Sequence, residues 1–198
     1  KSKIIDYFKK ILNFEKESKT NVKRKLMMKE DPKSPISEAY RGLRTSMLFS
    51  TEKKIKTIVV SSAGPGEGKT TTVANLAISY AKLGKKTLLI DTDLRRPVVD
   101  KVFDLPREPG VTNFITSQTD DFKSLIKKTE IENLSVITSG LIPPNPSEIL
   151  GSSRMTKLVK KLEDNFDMIL FDSPPLVAVT DANMISRDMD QIVIVVKV

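Results

Sequence analysis

The sequence contains no cysteine, no histidine and no tryptophan. Without thiols or imidazoles there are no disulfides, zinc sites, iron–sulfur clusters, Ser/His triads or thiol nucleophiles. Any chemistry must therefore use carboxylates, hydroxyls, lysine, arginine or backbone amides. No apolar run is long enough to satisfy its backbone across a bilayer, and no secretory signal pattern opens the chain. The reading is cytoplasmic. Aromatic residues make up only 6% of the chain, yet 39% of its 198 residues are apolar. That is enough for one sizeable α/β core and hardly for two.

The net charge of +8 is unevenly spread. Residues 1–33 hold eleven Lys/Arg against five Asp/Glu, a surplus of +6, which leaves only +2 for everything that follows. The basic character belongs to an N-terminal arm, so nucleic acid is not expected as a partner of the globular part. Within the arm Ile4, Ile5, Phe8, Ile11 and Leu12 repeat at helical spacing beside Lys3, Lys9 and Lys10. Such a short basic amphipathic helix would suit an anionic membrane surface or a partner, but a helix packed on its own domain, or a fraying terminus, is the favoured reading. The division is thus an arm over 1–33 and a domain over 34–198. The chain begins without Met and stops in the apolar run from Gln191 to Val198, which points to longer termini.

Ser34-Pro35 reads as an N-cap and first helical position, and Ile36, Ala39, Tyr40, Leu43 and Met47 then form an apolar stripe. Glu38, Arg41 and Arg44, three apart, lie on a different face. From Lys56 on, β-branched apolar runs alternate with helical patterns. Strands are expected at about 57–62, 87–91, 134–138, 168–172 and 191–198, and helices at about 69–82, 121–128, 152–164 and 180–188. The runs Thr87–Asp91 and Met168–Asp172 do not alternate, as in strands buried on both faces. The expected fold is α/β, a mostly parallel sheet flanked by helices, with ligands beyond the carboxyl ends of its strands.

Ala63-Gly64-Pro65-Gly66-Glu67-Gly68-Lys69-Thr70-Thr71 follows the first strand and opens a helix, the context of a phosphate-binding P-loop. Small residues let backbone N–H groups surround phosphates, and the helix N-terminus adds partial positive charge. Lys69 would neutralise the β/γ oxygens of ATP, and the Thr70 hydroxyl would reach Mg²⁺. Asp91-Thr-Asp93-Leu-Arg95 ends the next strand, which is read as a neighbour of the P-loop strand. Carboxylates there can meet Mg²⁺ and phosphates, or cap a following helix. Asp172 ends a third apolar run and reads as a Walker-B acid on Mg²⁺.

Three segments together, Ala63 to Thr70, Leu88 to Arg95 and Ile169 to Pro174, resemble the Walker A, A′ and B set of bacterial tyrosine kinases. Glu38-Ala-Tyr-Arg41-Gly-Leu-Arg44 is similar to the Glu-x-x-Arg-x-x-Arg oligomerisation motif of that family, and Ser139–Leu150 matches as well. The resemblance implies a P-loop autokinase that phosphorylates a neighbouring subunit's C-terminal tyrosines in trans. It further implies control of capsular and extracellular polysaccharide synthesis and export. Catalysis would fall to Lys69, Asp91 and Asp93, nucleotide binding to Gly64–Thr71, and Mg²⁺ to Thr70, Asp93 and Asp172. Asp91 would orient or deprotonate the tyrosine hydroxyl, although spacing alone leaves open which of Asp91 and Asp93 touches metal. Implied partners are other copies in a ring, a membrane-anchored activator that recruits the kinase to the inner face of the cell membrane, a cognate tyrosine phosphatase and polysaccharide-synthesis enzymes.

Two departures stand out. A tyrosine-rich tail is expected of the family, and this chain has only Tyr7, Tyr40 and Tyr80; the N-terminal arm, in turn, has no family counterpart that matches residue by residue. The other reading of the same fold is a partition or division-site ATPase that switches dimer state on membrane or DNA. That group carries an extra P-loop lysine where this chain has Gly64, which favours the kinase. A module that only binds nucleotide is the third reading.

Overall fold

The computed structural model describes residues 26–117, 120–176 and 189–197. Among the described residues six strands form one sheet: β1 (Thr57–Ser62), β2 (Thr87–Asp91), β3 (Lys127–Lys128), β4 (Leu134–Ile137), β5 (Met168–Asp172) and β6 (Gln191–Val195). Their order is β3-β4-β2-β5-β1-β6. Every pairing is parallel except β3 with β4. Strands β1, β2 and β5 are buried along their whole length, as non-alternating apolar runs require in a sheet covered on both sides. The fold is that of a P-loop NTPase. The order refines one expectation, because β5 lies between β1 and β2, so the Asp91 strand is the P-loop strand's second neighbour.

The helices are α1 (Met27–Glu30), α2 (Pro35–Leu48), α3 (Lys69–Ala81), α4 (Val99–Val102), α5 (Val111–Thr116), α6 (Pro146–Leu150) and α7 (Ser153–Glu163). One core layer packs α1, α2 and α3 against the sheet through Met28, Leu43, Leu76 and Ile78. The other packs α5 and α7 through Phe114, Leu158 and Leu162 on Val59, Ile169 and Phe171. Helix α3 is buried on nearly all sides, which explains why it lacks the polar face of a surface helix. Ser34 caps α2 by accepting the Ser37 amide at 3.2 Å, with Pro35 in the first turn. In α7 the Ser152 hydroxyl accepts from Met155 N in the same way.

Two expectations give way. The stretch 121–128 is not a helix: a 3₁₀ turn at Lys123–Leu125 leads into the short strand β3. The Asp121 carboxylate accepts the amides of Lys123 and Ser124 at 3.1 and 3.4 Å, which closes a tight turn, and Lys127 and Lys128 then pair with Val136 and Ser135. Phe122, Leu125 and Ile126 have helical spacing for one turn only, too few residues to outweigh strand pairing. The packed body also starts before residue 34. Leu26 and Met28 lie in the core, and the Met28 amide donates to Asn75 Oδ1 of α3 at 2.9 Å. The apolar triplet Leu26-Met27-Met28 was the available signal within a stretch dominated by lysine. The amphipathic pattern at Ile4–Leu12 and the helix expected at 180–188 lie outside the described residues.

The segment after β4 is tied to α5 by a close backbone approach at Gly110 and Gly140. A Cβ on Gly110 would stand 2.1 Å from Gly140 N and 2.4 Å from Thr138 O, and Gly140 itself has φ +79. Backbone atoms cannot swing aside as a side-chain tip can. Gly110→Ala is therefore expected to cost roughly 1–3 kcal/mol or more. Thermal denaturation would check it, and an unchanged Tm would show that the two backbones do not pack so closely.

Candidate active site

The P-loop leaves β1 at Ser62 and enters α3 at Lys69. Gly66 and Gly68 sit at φ 78 and 88, a region that side chains rarely adopt, so the loop's path depends on glycine at both positions. Within the loop, Ser62 Oγ donates to Gly64 O at 2.6 Å and the Gly64 amide donates to Glu67 Oε2 at 3.0 Å. Pro65 is exposed, while Thr70 and Lys69 are buried at the start of α3.

Three strand ends converge beside this loop. Asp91 and Asp172 are register partners on adjacent strands, and Asp172 pairs across β1 at Val60. Lys69 Nζ stands 2.9 Å from Asp93 Oδ2 and 2.9 Å from Asp172 Oδ1. The Thr70 hydroxyl donates to Asp172 Oδ2 at 2.6 Å. All four side chains are buried, so these contacts act in a medium of low dielectric constant. Burial works against the Lys69 charge, but Asp172 and Asp93 outweigh it and hold the ammonium above its ordinary pKa. Burial raises the Asp172 carboxyl above the usual carboxylate range, and Lys69 and the Thr70 hydroxyl offset only part of that rise.

Asp91 and Asp93, alike in sequence, are held differently. Asp93 faces Lys69, and its Oδ1 accepts the Arg96 amide at 3.1 Å. Asp91 is fully buried, with Oδ1 accepting from Asp93 N at 3.2 Å and Oδ2 from the amides of Val98 and Val99 at 3.1 and 3.0 Å. It thereby anchors the loop that leads into α4. Burial, reinforced by the neighbouring Asp172 charge, pushes its carboxyl up to about 8, against the pull of the Val99 amide and Lys69.

Thr92, between the two acids, escapes sequence reasoning. Its amide and hydroxyl both donate to Asp172 O, at 2.9 and 2.8 Å. It joins the ends of β2 and β5 and so sets where Asp172 stands. A threonine between two aspartates reads simply as a spacer, and no pattern signals this role.

The donor set suits a hard cation, since Thr70, Asp93 and Asp172 offer only oxygen. Among the described residues no three or more His, Cys, Asp or Glu form a metal cage of their own. Mg²⁺ is commonly held by one or two carboxylates and completes its shell with phosphate and water, a set that Asp93, Asp172 and the Thr70 hydroxyl could serve.

Glu38, Arg41 and Arg44 are not at this site. Arg44 Nη1 donates to Ser79 O and Oγ at 2.5 and 2.9 Å, near the far end of α3, ten residues or about 15 Å along that helix from Lys69. Arg41 pairs with Glu38 on its own helix and donates to Pro32 O. Arg44 thus fastens α2 to α3, and Glu38 keeps a largely exposed side chain.

Comparison with known proteins agrees with this geometry. The family model described as an AAA domain matches residues 55–198. The putative tyrosine-protein kinase CapB of Staphylococcus aureus is 41% identical over 172 residues, covering 86% of this chain and 75% of the relative. The solved chimerical protein CapA2B2 superposes with a TM-score of 0.84 at 40% identity, covering 89% of this chain and 77% of the other. The kinase domain of the Escherichia coli tyrosine kinase ETK superposes with a TM-score of 0.82 at 30% identity, covering 96% and 74%. The chain belongs to the bacterial tyrosine kinase family. As a protein-tyrosine kinase of this family it carries its P-loop on β1 and its acids on the next two strands across the sheet. Two tyrosines of this kinase fall among the described residues, and both are core side chains, Tyr40 at 2% and Tyr80 at 1% exposure. Tyr7 lies outside the described residues. Among the described residues no helix is long and apolar enough to cross a membrane.

Proposed function

We propose that this kinase transfers the γ-phosphoryl group of ATP to C-terminal tyrosines of a neighbouring subunit, and that this regulates capsular and extracellular polysaccharide synthesis and export. The observation that carries the reading is the meeting of Lys69, Thr70, Asp93 and Asp172 at the mouth of a P-loop. Mg²⁺, when bound, neutralises phosphate charge and fixes the phosphates for in-line transfer. Gly64, Pro65, Gly66, Glu67, Gly68, Lys69, Thr70 and Thr71 cradle the phosphates, with Lys69 stabilising negative charge on the group in transfer. Thr70, Asp93 and Asp172 would hold Mg²⁺. Asp91 orients or deprotonates the tyrosine hydroxyl; with its carboxyl pushed up to about 8, the deprotonating role belongs to its ionised form and calls for turnover that rises toward pH 8.

Trans transfer needs a neighbour. In this reading the α2 face bearing Glu38, Arg41 and Arg44 builds a closed ring, with Arg44 bracing α2 on Ser79 of α3 while Glu38 and Arg41 meet the neighbour, and a heterologous contact that closes is the simplest way to deliver one subunit's tail to the next. The exposed Glu38 side chain supports such a contact. A membrane-anchored activator, a cognate tyrosine phosphatase and polysaccharide-synthesis enzymes would be the kinase's partners at the inner face of the membrane. The chimera CapA2B2, by name a joining of A and B parts, supports a second protein acting with the kinase.

With Mg-ATP, the chain is expected to phosphorylate an added tyrosine-rich peptide while scarcely labelling itself, because the Tyr40 and Tyr80 rings are packed in the core. Phosphopeptide mapping by mass spectrometry would check this. Efficient labelling of Tyr40 or Tyr80 would contradict it, and phosphate release with no tyrosine label would favour the switch ATPase.

A further inference from the structure

We propose that Lys69 holds the place of the metal: paired with Asp93 and Asp172 it keeps divalent cations out, and nucleotide phosphates admit Mg²⁺ by drawing the ammonium away. The proposal rests on the Mg-nucleotide reading of this site and adds an order of binding to it.

The geometry leaves little room for both cations. Two of the three Lys69 N–H donors are directed at carboxylates, Asp93 Oδ2 and Asp172 Oδ1, both at 2.9 Å, and Nζ stands 3.5 Å from Thr70 Oγ1. Asp172 has no free oxygen, since its Oδ2 takes the Thr70 hydroxyl at 2.6 Å. The three groups assigned to the metal are thus tied to one another and to a single buried positive charge. An approaching cation would meet that charge at contact distance, where a shielded site makes repulsion strong. The same ammonium cannot serve phosphates while both carboxylates hold it.

Phosphates change the balance. They offer Lys69 new anionic partners and at the same time occupy the loop's inward amides. Once Lys69 moves to them, Asp93 and Asp172 lose their counter-charge and become free to hold a divalent cation, which would restore it. Nucleotide and metal are then positively coupled, each improving the affinity of the other by the same factor. The pairing also explains how two buried carboxylates persist in the sheet, since a buried charge without compensation is strongly destabilising.

Mn²⁺ followed by electron paramagnetic resonance is the probe. Wild type is expected to take up no Mn²⁺ alone and to bind it once ADP or ATP is added. Lys69→Met is expected to bind Mn²⁺ without nucleotide at least roughly tenfold more tightly than wild type. Mn²⁺ should also raise the Tm of that variant but not of wild type, and the gain should vanish on adding Asp172→Asn. Lys69→Arg keeps the charge and should exclude Mn²⁺ as wild type does, which guards against poor folding of Lys69→Met. Equal Mn²⁺ affinity of wild type and Lys69→Met without nucleotide, or free binding by Lys69→Arg, would overturn the proposal. Wild type that takes no Mn²⁺ even with ATP would instead overturn the Mg-nucleotide site beneath it.

Discussion

Lys69→Met is expected to lose nearly all phosphotransfer and to melt well below wild type. The first effect follows from position. Lys69 is the only side-chain cation of the P-loop, at the start of α3 and 2.9 Å from the two acids that face the phosphate site. Removing one preorganised charge-stabilising group costs about 3–4 kcal/mol in the transition state, a rate loss of roughly 10²–10³. The second effect follows from burial. Methionine fills the volume of the stem but leaves Asp93 and Asp172 without their counter-ion, and breaking a buried pair in this way costs about 3–5 kcal/mol. For a chain of this size each kcal/mol moves Tm by roughly 2–4 °C, so a fall on the order of 10 °C is expected. Kinase activity within tenfold of wild type would sink the P-loop assignment, and an unchanged Tm would mean that the ion pairs contribute nothing to the fold.

Asp91→Asn and Asp172→Asn are expected to separate chemistry from metal binding. Asp172 receives Thr70 and Lys69 and stands where phosphate-bound Mg²⁺ would sit, so its amide should weaken Mg²⁺-dependent nucleotide binding by about 10–100-fold. Asp91 faces backbone amides, so its amide should leave Mg-ATP affinity within a few-fold but cut turnover by roughly 10²–10⁴, the range for losing a general base. Titration calorimetry beside steady-state kinetics would distinguish them. Loss of Mg-ATP affinity in Asp91→Asn but not in Asp172→Asn would reverse the two roles.

Stability adds a further readout for Asp91. Its carboxyl, pushed up to about 8 in the fold, is ordinarily at 3.8. Between those values the folded chain binds a proton that the unfolded chain releases, so the Asp91 contribution to stability is present in acid and declines as pH rises toward 8. Asparagine removes the titration. The Tm difference between Asp91→Asn and wild type should therefore move in the variant's favour from pH 5 to pH 8, and a difference constant over that range would contradict the raised pKa.

Much of this arrangement is legible in the sequence because buried parallel strands leave a plain mark. Non-alternating runs such as Met168–Asp172 need both faces covered, and the acid that ends each run marks the edge where ligands bind. The P-loop is equally plain, since its glycines are dictated by backbone conformation at Gly66 and Gly68. What the sequence hides depends on strand order and on contacts between distant segments. Asp91 and Asp93 differ only through what folds against them: the Val98 and Val99 amides in one case, Lys69 in the other. Thr92 acts through Asp172, eighty positions away. Met28 enters the core through Asn75, which no local period could reveal under a lysine-rich composition. At 121–128, one turn of helical spacing competes with pairing to β4, and the sheet prevails.

The most direct measurement is transfer between two kinds of chain. Lys69→Met carrying an appended tyrosine-rich segment cannot label itself, and the wild-type chain, with Tyr40 and Tyr80 in its core, offers no accessible tyrosine among the described residues. Mixed with Mg²⁺ and γ-labelled ATP, the inactive chain should become labelled on its tyrosines at a rate that rises with wild-type concentration. Labelled phosphate released to water, with no phosphotyrosine on the inactive chain at any concentration, would contradict a trans-acting tyrosine kinase.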